Sequence, residues 1–159
     1  MSISTRLLSY LDNRKIQYQT IKHHHSNSSI GSAINANIPL HQLAKAVILQ
    51  NHEDRKVMAI LPASRKVSIS TLNEQLMGSY RLLKEHEVYQ LFEDCEHGAI
   101  PAIAEAFNMT SVCDEKLDLL DYVYIEAGDH EHLLKIPHKH FAKLVDRCMH
   151  LTFSHEVFH

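Results

Sequence analysis

Ile3, Leu7, Leu8 and Leu11 recur at helical spacing with polar residues between them, which predicts an amphipathic helix over residues 2–13. Ile16, Tyr18 and Thr20 alternate with Gln17, Gln19 and Ile21, a short strand ending near Lys22. The polar run 23–28 reads as a loop. Ser28 or Ser29 then stands where an N-cap belongs, ahead of a helix with Ile30, Ala33 and Ile34 on one face and Pro39 closing it. Leu43 to Gln50 is apolar except for Lys45, and its length and β-branched residues predict a strand. A polar turn over 51–55 leads into a returning strand, Lys56 to Leu61, so the two form a hairpin.

The second half continues the mixture. Thr71 and Glu74 have capping-box spacing before Leu72 and Leu76, with Gly78 as the stop. Glu85 to Phe92 is a second short helix with Val88, Leu91 and Phe92 inward, and Ala102 to Phe107 a helical turn. Tyr122 to Ala127 alternates as a strand, Gly128-Asp129 turns, and His132 to Ile136 pairs back. Pro137 opens a helix with Phe141, Leu144 and Val145 buried, and Cys148 to Phe153 reads as a last strand. Hairpins outnumber regular βαβ units, so the pattern is α/β (α+β).

Two positions stand out against this pattern. Period 2 puts Lys45 on the face of Val47 and Leu49. Either its ammonium enters a core or cavity, where an unpaired lysine is rare, or its stem packs while the amine reaches water. Gly98 and Pro101 lie in a stretch between helical segments, Asp94 to Ala102. Glycine allows positive φ and close backbone approach, and proline fixes φ. The stretch is either an ordinary turn or a rigid loop whose peptide groups face a substrate.

Composition narrows the classes. A chain of 159 residues with 45% hydrophobic content suits one domain, 1–159, with a real core. The net charge of −3 argues against broad nucleic-acid binding but leaves room for a local basic patch. No apolar run is long enough for a membrane helix, and the first residues lack a signal-peptide core, so no membrane partner is expected. Cys95, Cys113 and Cys148 are too few and too scattered for a disulfide framework and suit a reducing cytoplasm. Fourteen histidines raise the question of a metal-binding protein. His23-His24-His25, His130-x-His132 and His138-x-His140 flank turns and lack zinc-type spacing, so neither metal nor cofactor is expected. Cys95 lies two residues from His97, but nucleophile and base normally converge from distant segments, so a structural thiol is expected. Nucleotide loops and serine-hydrolase elbows are absent from the sequence.

Three stretches, in order, resemble the YbaK/ProX family, the free-standing relatives of the prolyl-tRNA synthetase editing domain. Leu43 to Leu49 resembles the strand carrying that family's key lysine, Gly98 to Ala102 its substrate loop, and Tyr122 to Asp129 its late strand and glycine turn. His23 sits where members often carry a histidine. One departure is visible: the family loop usually reads Gly-x-x-x-Pro, whereas Pro101 comes one residue early and Ala102 takes the proline's place.

The resemblance, over about residues 2–146, implies a mixed, partly barrel-like β-sheet surrounded by helices. It implies hydrolysis of the ester joining a wrong amino acid to tRNA. The catalytic residues would be Lys45 and Gly98. The substrate would be bound by His23, Ala99, Ile100, Pro101, Ala102 and Gly128, and the tRNA by Lys22, Arg65 and Lys66. Partners would be the aminoacyl-tRNA acceptor end and an aminoacyl-tRNA synthetase, not DNA. The competing reading is a non-catalytic member that binds tRNA or a partner protein.

Overall fold

The computed structural model describes residues 2–157; Met1 and residues 158–159, the ends of the expected 1–159 span, lie outside it. The elements run α1 (Thr5–Asn13), β1 (Gln19–Lys22), α2 (Ser29–Ala36), β2 (Leu43–Gln50), β3 (Lys56–Pro62), β4 (Arg65–Val67), α3 (Ile69–Leu76), β5 (Arg81–Leu82) and α4 (Glu85–Leu91). They continue with β6 (Thr110–Asp114), β7 (Tyr122–Glu126), β8 (His132–Pro137), α5 (His138–Leu144), β9 (Met149–Leu151) and β10 (Ser154–Glu156). Short 3-10 turns lie at Leu40–Gln42, Glu105–Phe107 and Glu115–Leu119.

One mixed sheet organises the fold, in the order β1-β8-β7-β2-β3-β6-β9. The β2–β3 hairpin at its centre pairs antiparallel from Ala44↔Pro62 to Gln50↔Lys56. The other edge of β2 is shared. β7 takes it in parallel at Leu43 and Ala44, and β5 takes it at Leu49 and Gln50. Among the described residues, 45–47 between them have no strand partner on that edge. A smaller ribbon pairs β10 with β4.

Alternation along β2 decides what each face meets. Ala44 and Ile48 enter the main core with Leu7 and Leu11 of α1, Phe92, and Phe141 and Leu144 of α5. On the opposite face Leu43 packs with Ala33 of α2 and with Tyr124 and Leu133, whereas Leu49 packs with Leu72 of α3, Leu61 and Phe153. Lys45 falls between these two covered patches, under neither helix.

Several expected elements differ. Residues 16–18 precede the strand rather than belonging to it. Ile30 and Ile34 face outward, because α2 buries its other side through Ser32 and Ala33. Thr71 lies inside α3 and forms no capping box; Ser68 occupies the cap, its hydroxyl donating to Thr71 Oγ1 at 2.8 Å. The last expected strand, 148–153, shortens to β9 because Phe153 turns inward, its N–H donating to Asp114 Oδ2 at 3.3 Å, and β10 forms beyond it. β4, β5 and β6 are too short or too polar to show periodicity.

α3 ends on Met77, one residue before the expected glycine stop, with φ of 52°. That left-handed conformation suits glycine, and the Met77 side chain is 93% exposed. Met77→Gly is therefore expected to raise stability by about 0.5–1 kcal/mol, read as a higher melting temperature. An unchanged or lower value would show that the left-handed cap carries no strain.

Candidate functional site

The unpaired stretch of β2 opens onto a cavity of about 230 Å³. Its walls come from three places: Lys45 and Ala46 on β2, Asn27 to Ser29 at the start of α2, and Gly98 with Ile100 on the loop after α4. Each wall is fixed locally. The Ser28 hydroxyl caps α2, accepting from the Gly31 N–H at 3.0 Å. The Gly98 carbonyl accepts from Ser29 Oγ at 3.5 Å, which joins the helix start to the loop.

The loop is tied down from behind. Glu96 donates its N–H to the Gly128 carbonyl at 2.7 Å, and Ala99 donates to Glu96 at 3.1 Å. His130 bonds the His97 carbonyl through Nε2. Gly98 has φ of +76°, and a Cβ there would stand 3.4 Å from His130 Nε2 and 3.5 Å from the Asn27 carbonyl. Ala99, Pro101 and Ala102 turn their side chains into the core. Among the described residues, the N–H groups of Gly98 and Ile100 have no acceptor.

Lys45 is half-buried, and among the described residues no carboxylate lies within ion-pair distance. Burial, and then the nearby Lys66 charge, holds its ammonium below the usual lysine range. An unpaired cation beside free N–H donors favours an anion, or negative charge that develops during a reaction.

Behind the loop lies a polar cluster. Glu126 is 1% exposed and His130 2%, and His130 Nδ1 stands 3.7 Å from Glu126 Oε2. Ser32 Oγ lies 3.4 Å from the same Nδ1. Neither Glu126 oxygen makes a hydrogen bond of normal geometry among the described residues, and burial pushes its carboxyl up to about 8 although nearby Ser32 works to lower it. Beside it, burial works against the Asp129 carboxylate, but His132 and the backbone N–H groups of Glu131 and His132 outweigh burial and hold Asp129 below the usual range. A larger cavity of about 700 Å³ lies across the loop, lined by aromatic and polar groups including His25, Tyr89, Phe92 and His97; it shares Asn27 with the smaller one.

Residues 23–144 match the family model of the aminoacyl-tRNA editing domain. The chain belongs to this family. Solved structures give the same fold at low identity. The hypothetical protein APE2540 is 16% identical with a TM-score of 0.82, over 94% of this chain and 99% of that one. A candidate trans-editing enzyme for prolyl tRNA synthetase is 15% identical with a TM-score of 0.78, over 97% and 99%. A candidate signal transduction protein from Marinobacter aquaeolei VT8 is 19% identical with a TM-score of 0.76, over 96% of this chain but 31% of that one. No curated protein matches the sequence.

In this editing domain the residues singled out from sequence separate into groups. Lys45, Gly98 and Ile100 share the small cavity. Gly128 supports the loop: φ is +105°, and a Cβ there would meet Cys95 Sγ and Ser4 Cβ at 3.3 Å. His23 is buried outside both cavity linings, its Nδ1 2.6 Å from the His24 carbonyl. Lys22 is exposed on β1, opposite His132 of β8. Lys66 is exposed on β4, whereas Arg65 is engaged, donating to Ser154 Oγ at 2.7 Å and to the Ser154 carbonyl at 2.9 Å. Asn27, Ser29 and the Glu126–His130 pair escaped sequence reading. The available signal was a carboxylate closing an apolar strand at Glu126.

The Glu126 environment predicts a pH effect. Its folded pKa of about 8 lies above its ordinary 4.5, so its favourable contribution is complete below about 4.5 and is lost as pH rises through about 8. Glu126→Gln is expected to gain on the wild type across that window, by up to about 1.4 kcal/mol per pH unit. Thermal melts of both proteins from pH 5 to 9 check this, and parallel curves would refute it.

Proposed function

We propose that this editing domain hydrolyses the ester between a mismatched amino acid and the 3′ end of tRNA, acting in trans. The observation that carries this reading is that Lys45 lines one cavity with Gly98 and Ile100, and among the described residues the ammonium has no acidic partner and those two N–H groups have no acceptor. An aminoacyl ester is already activated, so positioning and charge stabilisation account for most of what a site must add.

In this reading water attacks the ester carbonyl carbon. The carbonyl oxygen takes up negative charge, which the loop N–H groups of Gly98 and Ile100 stabilise. The bond to the ribose oxygen then breaks, that oxygen regains a proton, and the amino acid leaves as a carboxylate. Lys45 holds the ribose or terminal phosphate as a point charge. A substrate hydroxyl orients the water, so no side-chain base is assigned. Loop residues Ala99, Pro101 and Ala102, with Gly128, set the loop's shape from the core side, and His23 supports the neighbouring chain. Lys66, with Lys22, meets the acceptor-stem phosphates. A synthetase is the natural source of mischarged tRNA, and the cytoplasm is where the two would meet.

Turnover on a panel of mischarged tRNAs tests the reading directly; binding without turnover on every member would replace it with a non-catalytic role. Lys45→Ala is expected to keep the fold, since it removes a desolvated and unpaired charge. Its turnover should fall about ten- to a hundredfold for each charge-assisted hydrogen bond that the ammonium makes to the transition state. Near-wild-type turnover in a folded Lys45→Ala protein would remove Lys45 from the site. Lys66→Ala is expected to weaken tRNA binding and to lower the salt dependence by roughly one counterion. An unchanged salt slope would place Lys66 away from the phosphates.

A further inference from the structure

The parallel pairing of β6 with β9 sets Cys113 opposite His150. The 3-10 turn Glu115–Leu119 then brings Asp118 over the pair. The thiol, one carboxylate oxygen and one imidazole nitrogen all lie within 4.8 Å of one another. No linear spacing announces this cluster, because the three residues come from separate elements. We propose that Cys113, Asp118 and His150 bind a divalent cation of the zinc class, at a site separate from the editing cavity.

The hydrogen bonds around His150 carry the argument. Its Nε2 lies 2.9 Å from the Val145 carbonyl, which can only accept, so Nε2 holds a proton. Nδ1 of the neutral ring is then a lone pair facing Asp118 at 2.8 and 3.0 Å. Two lone-pair bearers at that distance need a positive charge between them. A proton would serve, with the Cys113 thiol then donating only to the Asp114 carbonyl at 3.8 Å. A metal ion uses all three donors, and the Val145 contact becomes the outer bond that orients a metal-bound histidine.

The support is rigid. Asp114 is fully buried, accepting from the Lys116 N–H at 2.9 Å and from Phe153 at 3.3 Å, which fixes the turn carrying Asp118. Cys113 is fully buried while Asp118 and His150 remain partly open, so an ion enters from their side. Ligand atoms around a tetrahedral zinc stand roughly 3–4 Å apart, given bonds of about 2.0–2.3 Å. Small shifts of the three side chains reach that spacing. Thiolate and imidazole select zinc over magnesium or calcium. Binding releases the Cys113 proton as the sulfur–metal bond forms, and water completes the fourth position.

Cobalt(II) is the probe, because its thiolate charge-transfer band reports a cysteine ligand and ignores the protein's other histidines. Untagged protein is expected to take up one equivalent with that band, and zinc is expected to displace it. Zinc should raise the melting temperature by several degrees. Cys113→Ser should abolish the band while Cys95→Ser keeps it. His150→Gln and Asp118→Asn, both at partly exposed positions, should bind cobalt at least tenfold more weakly while melting normally without metal. Absence of the thiolate band at stoichiometric cobalt, or its survival in Cys113→Ser, would overturn the site.

Discussion

The divided edge of β2 is the constraint on which the rest of the site depends. A strand has two hydrogen-bonding edges, and unpaired backbone groups in a buried setting cost free energy. β3 satisfies one edge along almost its whole length, while β7 and β5 each take an end of the other. Between them the backbone at 45–47 is open, and the helix start at Ser28 and the loop at Gly98 close around it. The cavity therefore results from strand pairing that stops short.

The same arrangement explains how a lysine is tolerated in a central strand. The two helices covering that face, α2 and α3, leave a seam over Lys45. Lys45 lines the cavity at this seam, with its charge destabilised by burial and by Lys66. A charge left uncompensated by the protein is a charge available to a ligand. The loop opposite is similar in kind, since among the described residues the N–H groups of Gly98 and Ile100 have no acceptor. The surrounding hydrogen bonds, from Glu96, Ala99 and His130, hold that loop in place.

The buried Glu126–His130 pair couples the sheet to the loop. Glu126 ends β7, His130 follows the turn with φ of 56°, and its ring reaches the carbonyl just before Gly98. A carboxyl buried this deeply is costly to ionise, and its raised pKa reflects that cost. Local strain and poor solvation thus concentrate on the residues that hold the loop.

Much of the architecture was legible in the sequence. A short β-branched apolar run and its return placed the β2–β3 hairpin, alternation placed β7 and its pairing with β8, helical spacing placed α1, α4 and α5, and the lone lysine in an apolar run marked Lys45. These features are local, and the periods of helix and strand write them directly into the chain. What the chain could not carry was decided by tertiary packing. Which side of α2 turns inward depends on the sheet beneath it, so Ile30 and Ile34 face outward against their pattern. Strands of two or three residues, such as β5 and β4, exist because neighbours supply their hydrogen bonds. The cavity shared by Lys45 and Gly98, the Glu126–His130 pair and the Cys113–Asp118–His150 cluster each join residues from different elements, whose distances are set by sheet order and register.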